Sequence, residues 1–152
     1  MEIVLYQPEI AGNVGAIIRL AANSGVSLNL IKPFGFDLQE NKIRRAGLDY
    51  HDLSNTKTYD SWEEFTKTHR NKNICCLSSK GKDSYWDTNL NQYDFLLFGP
   101  ESIGLPNEII SSYKTITIPM KENSRSINLA NSVGIVAVSY THLRAHETAR
   151  YL

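Results

Sequence analysis

The sequence has little cysteine, no net charge and no long apolar run, and each shortage removes a class of protein. Its 152 residues contain two cysteines, Cys75 and Cys76, adjacent in an apolar stretch. Alternate residues of a strand face opposite ways, so the pair cannot form a Cys-x-x-Cys chelate, and both are expected to be reduced core residues. Basic and acidic residues balance at 16 each. No overall field draws the chain to a polyanion, so any contact with nucleic acid must come from local clusters. A run of about eighteen apolar residues and a basic-then-apolar leader are both missing. That excludes a membrane-spanning helix and a secretory signal, and a soluble cytoplasmic protein is expected. After the first apolar run the glycines are Gly12 and Gly15, which do not match Gly-x-Gly-x-x-Gly, so binding of a nicotinamide dinucleotide has weak support.

What is present suits one α/β domain. A hydrophobic content of 41% supports a sizeable core in a chain of one-domain length. Apolar runs at residues 3–6, 28–31, 74–78, 94–98 and 115–118 predict strands, and the near-continuous run at 94–98 suits a parallel sheet covered on both faces. The glycine-bearing segment 8–15 reads as a loop feeding a helix with Ile17, Ile18, Leu20, Ala21 and Ala22, which ends at Asn23, Ser24 and Gly25. A polar helix is predicted over 38–46, followed by a turn over 47–51. Ser61 with Glu64 forms a capping box for a helix reaching about His69. Pro106 is placed to start a short helix over 107–113. Leu129, Val133, Val136 and Ala137 recur at helical spacing in a small-residue segment ending near Val138.

The chemistry concentrates at strand ends. Three apolar strands run into the polar or glycine-bearing loops 78–81, 99–105 and 119–128. Ligands of open α/β sheets bind outside the carboxyl ends of the strands, so these loops are the expected site. The last of them leads through Ser124, Arg125, Ser126 and Asn128 into a helix start, where backbone N–H groups and short side chains can surround a small polar ligand. Two basic clusters are also present: Lys42, Arg44 and Arg45, and the loop with Lys80 and Lys82. Each suits either a solvated surface or a phosphate contact.

The segments 3–25, 98–106 and 118–131 resemble, in order and spacing, the three motifs of the SPOUT superfamily of S-adenosylmethionine-dependent RNA methyltransferases. The likeness is nearest to the TrmL group, tRNA (cytidine/uridine-2′-O)-methyltransferases acting at the wobble nucleotide, whose pattern 30–36 and 44–51 also follow. The resemblance implies a parallel sheet with helices on both faces and a deep C-terminal trefoil knot, a threaded connection that sequence rules alone would not propose. It places glycine at 99, 104 and 134 where backbone meets backbone. It also implies a homodimer whose active sites are completed by the partner, and the tRNA anticodon stem-loop as substrate.

By position, Leu77, Gly99, Ile118 and Ser126 match the cofactor contacts of that superfamily, with S-adenosylhomocysteine as product. Asn13 and Arg19 match its catalytic pair and, six positions apart, are expected to project together toward the ribose. A guanidinium is a very poor base, so Arg19 is assigned to the adjacent phosphate and the developing alkoxide, and Asn13 to orienting the hydroxyl. Glu101, Gly104 and Asn128 are expected to support the motif loops. Arg125, with Lys42, Arg44 and Arg45, is expected to meet RNA. No metal is required, since the sulfonium cofactor loses its charge on transfer, and His142 and His146 have no evident third ligand. The same motifs also fit a methyltransferase of another tRNA or rRNA ribose, or an impaired homologue that only binds.

The pattern ends near Val138, so residues 1–137 read as the methyltransferase domain and 138–152 as a divergent tail of cloning-scar character. Where the group continues with Tyr-Glu-Ala, this chain reads Val138, Ser139, Tyr140. Its tyrosine falls two positions late, about 200° around a helix.

Overall fold

Each apolar run bounded by turn residues becomes a strand. In the structure, a computed structural model describing residues 1–37 and 52–150, β1 is Glu2–Tyr6, β2 Leu28–Ile31, β3 Thr56–Tyr59, β4 Ile74–Leu77, β5 Asp83–Ser84, β6 Phe95–Phe98 and β7 Lys114–Thr117. The side chains of 52 and 142–150 are outside this description. The helices are α1 Ala11–Ser24, α2 Trp62–Thr68, α3 Asn107–Ser112 and α4 Leu129–Arg150. The strands form one sheet in the order β3-β2-β1-β6-β4-β7-β5, and every pairing is parallel.

A parallel sheet buries both faces, and the side-chain alternation shows it. Ile3, Leu5, Leu28, Leu30, Cys75, Leu96 and Phe98 point to one side, into a core closed by α1 and α4. Val4, Ile31, Cys76, Phe95 and Leu97 point to the other, beneath Phe65 of α2 and Ile109 of α3. Both cysteines are free and buried. Burial pushes the Cys75 thiol up to about 11 and the Cys76 thiol to about 12. Among the described residues no helix is long and apolar enough to cross a membrane.

The local signals that carry a mechanism hold. Ser61 Oγ accepts from the Glu64 N–H at 3.1 Å, and the Glu64 carboxylate takes the Asp60 N–H in return. Gly25, at φ 68°, ends α1, its N–H donating to the Ala21 carbonyl.

Several expectations change. Residues 11–15 are not loop: α1 already begins at Ala11, with the N–H groups of Asn13 and Val14 donating to the Ile10 carbonyl. Helix α4 runs past Val138, where the small-residue apolar segment stops, and continues to Arg150. A Cβ on Gly99 would lie 2.4 Å from the Leu105 nitrogen, so there backbone does meet backbone. Gly104 has nothing within 4 Å and is instead glycine for its φ of +69°, while Gly134 has only the Leu20 side chain at an ordinary 3.8 Å. The strands β3 and β5 were not expected. The helix over 38–46 with Lys42, Arg44 and Arg45, the turn over 47–51 and the side chains of His142 and His146 lie outside the described residues.

Candidate active site

The three strand-end loops converge. At the carboxyl edge of β4, β6 and β7 they enclose, with the start of α1 and α4, a cavity of about 350 Å³. That is the size of a small-molecule site, roughly 300–1,000 Å³. Apolar walls come from Leu77, Phe98, Leu105, Ile118 and Leu129, and polar ones from Ser78, Thr117, Ser126 and Ser132. Gly99 keeps the β6 loop folded on itself, since any side chain would strike residues 104 and 105.

One hydrogen-bonded chain ties these parts together. No side chain of its own caps α1, whose first N–H groups need acceptors. The Glu101 carboxylate, from the loop after β6, holds the residues leading into the helix: it accepts from the N–H of Glu9 at 2.8 Å and of Ile10 at 3.1 Å, and from Asn13 Nδ2 in the first turn at 3.2 Å. Glu9 returns the contact, its carboxylate accepting from the Ser102 N–H and hydroxyl at 2.9 and 2.7 Å. Asn13 Oδ1 accepts from Asn128 Nδ2 at 3.0 Å, and Asn128 Oδ1 caps α4 by accepting from the Asn131 N–H at 3.2 Å. Loop 99–105, α1 and α4 are thereby fixed around the cavity.

Leu77, Gly99, Ile118 and Ser126 all line the cavity, as do Asn13, Glu101, Gly104 and Asn128. Arg19 does not. It is exposed on α1, and because Asn13 is already helical, six residues carry Arg19 about 9 Å along and about 120° around the helix. Arg125 is exposed beside Ser126 but outside the lining. Tyr140 packs in the core with α1 and α4, away from the cavity. The Glu9–Ser102 pairing and the exposed apolar wall residues Ile103 and Met120 went unmarked in the sequence, since none belongs to a periodic pattern. No group of three metal-ligating side chains occurs among the described residues.

Comparison with known proteins gives the chain a family. The SpoU rRNA Methylase family model matches residues 1–138. The chain belongs to that family. A relative from Methylovorus glucosotrophus, a tRNA (cytidine(34)-2′-O)-methyltransferase, is 40% identical over 151 residues, covering 97% of each chain. Proteins of the same name from Aeromonas hydrophila and Escherichia coli K12 are 44% and 40% identical, covering 89% and 90% of this chain and 88% of their own. A solved structure described as concerning the 2-OH methylation of C/U34 on tRNA superposes with a TM-score of 0.87 at 41% identity, covering 95% of this chain and 96% of that one. The SpoU methyltransferase AviRb from Streptomyces viridochromogenes, solved with AdoMet, shares the fold: TM-score 0.82, 24% identity, 95% of this chain and 58% of that one. The all-parallel sheet found here thus superposes on solved structures of SpoU methyltransferases.

Proposed function

We propose that this SpoU-family protein 2′-O-methylates the ribose of nucleotide 34, the wobble cytidine or uridine of tRNA, using S-adenosylmethionine. The observation that carries it is the meeting of three motif loops around one cavity, in a chain about 40% identical to tRNA (cytidine(34)-2′-O)-methyltransferases across nearly its whole length.

The cavity fits the cofactor. Leu77, Ile118 and Leu105 offer apolar walls for a purine, and Ser126 and the strand-end main chain offer hydrogen bonds for its polar edges. The chemistry the cofactor supplies when bound is an electrophilic methyl group, with S-adenosylhomocysteine as product. The protein's share is position. Asn13 is held at both ends of its amide, by Glu101 and Asn128, so its Oδ1 has a fixed direction and a second lone pair to accept from the ribose hydroxyl. The transfer neutralises a sulfonium and asks for no metal.

Arg19 reaches this reaction in a homodimer. It adjoins Leu20 in α1, which with Ala130, Asn131, Gly134 and Ile135 lines a shallow, mostly apolar groove open to solvent between α1 and α4. A second copy packed there two-fold would cover Ile135 and Val138, which are 38% and 56% exposed, and turn Arg19 toward the partner's cavity. Arg125, Lys42, Arg44 and Arg45 would hold phosphates of the anticodon stem-loop. Trefoil threading belongs to the same proposal, supported by the press of loop 78–81 on β7, where a Cβ on Gly81 would stand 2.4 Å from the Ile116 carbonyl carbon. So do residues 1–137 as the catalytic domain, 138–152 as a divergent tail of cloning-scar character, and action in the cytoplasm.

Labelled-methyl transfer from S-adenosylmethionine to bulk tRNA, followed by nuclease mapping, tests this. Label at ribose 34 is expected. Label at another ribose would mean another SpoU substrate, and cofactor binding without transfer would mean an impaired homologue.

A further inference from the structure

Two charged side chains line the cavity among the described residues, Glu101 and Lys80. Glu101 is fully engaged by donors at the start of α1. Lys80 is different. Its ammonium donates to Asn107 Oδ1 at 3.0 Å, and no carboxylate among the described residues pairs with it. An ammonium carries three donors, and an amide oxygen uses one without balancing the charge.

The backbone under Lys80 is pinned. Its own N–H donates to Ser78 Oγ at 3.2 Å, the Gly81 N–H donates to the Ser78 carbonyl at 3.0 Å, and the Ser78 N–H donates to the Ile116 carbonyl at 3.0 Å. Gly81 lies directly on Ile116, and the Ser78 hydrogen bond holds the turn against β7, whose end forms the cavity floor at Thr117 and Ile118. Asn107, at the first position of α3, then fixes the far end of the side chain. A cation with no counter-ion, tied at both ends and facing a ligand cavity, is placed to receive an anion.

This inference rests on the cofactor reading above. We propose that Lys80 binds the carboxylate at the amino-acid end of the cofactor and so sets which way the cofactor lies in the cavity. That carboxylate is the cofactor's one anionic group, and Lys80 is the one basic side chain on the described wall.

Titration calorimetry with two ligands tests it: S-adenosylhomocysteine and its decarboxylated analogue, which keeps the amine and loses the carboxylate. Lys80→Met retains the stem and removes the charge. It should weaken S-adenosylhomocysteine by roughly 5- to 30-fold and leave the analogue within about twofold, with Lys80→Arg recovering most of the loss. Equal weakening of both ligands would mean a structural role and overturn the proposal. So would unchanged cofactor affinity with a raised KM for tRNA and a salt slope lower by about one, which would assign Lys80 to an RNA phosphate. Failure of the wild-type protein to bind either ligand would overturn the cofactor reading as well.

Discussion

Asn13 and Asn128 stand 115 residues apart in the chain and share one hydrogen bond of 3.0 Å. Through it the first turn of α1 and the cap of α4 become one rigid unit, with Glu101 as the third member. The residues that shape the cavity thus also hold its helices in place.

Glu101→Ala leaves the Glu9 and Ile10 amides, just before α1, and the Asn13 side chain without their acceptor. It should cost about 1–3 kcal/mol of stability and lower kcat further than the lost stability explains. Asn128→Ala should cost about 1 kcal/mol as a lost cap, and a double-mutant cycle with Asn13→Ala should show coupling of about 0.5–1.5 kcal/mol in denaturant unfolding. Additive losses would separate the two asparagines.

Arg19→Ala should abolish turnover while changing cofactor affinity by no more than about twofold, because the side chain lies outside the cavity of its own protomer. Mixed dimers test the trans arrangement. Combining Arg19→Ala with a cofactor-site variant, each inactive alone, should restore up to about a quarter of the wild-type activity by subunit complementation. No recovery would return Arg19 to its own subunit.

The glycines should respond in opposite ways. Gly99→Ala forces a Cβ against the Leu105 backbone and should destabilise by several kcal/mol, about the scale of a backbone-shifting overpack or more. Gly134→Ala meets only ordinary contact inside a helix and should stabilise the protomer by about 0.5–1 kcal/mol. Thermal unfolding of the two variants reads the difference.

How far such sites can be foreseen varies with what makes them. β1, β2, β4 and β6 were legible because each is an apolar run ended by a turn residue, and β7 because Thr115, Ile116 and Thr117 make a β-branched run that stops before Pro119. β3 was not: Thr56, Lys57 and Thr58 of this edge strand carry no buried face, and only Tyr59 turns inward. The start of α1 was hidden for a different reason. Gly12, Asn13 and Gly15 favour a loop locally, and the carboxylate that holds the entry to the helix, Glu101, lies far along the chain. Leu77, Gly99, Ile118 and Ser126 could be placed in one site from motif order, while the unpaired charge of Lys80 emerges only when its neighbours are in view.

The cysteines provide a check on the core. With the thiol of Cys75 near 11 and that of Cys76 near 12, almost no thiolate exists at pH 8 in the folded state. Both should be inert to a thiol reagent in the native protein and react promptly once unfolded. Reactivity in the native state should rise only as pH climbs toward those values. Fast native labelling at pH 8 would place them outside the sheet.

Methylation of two tRNA transcripts that differ only in ribose or 2′-deoxyribose at nucleotide 34 goes to the heart of the matter. The expected result is methyl transfer to the ribose transcript, mapped to nucleotide 34, and none to its deoxy counterpart. Equal labelling of both, or label mapped to another nucleotide, would contradict it.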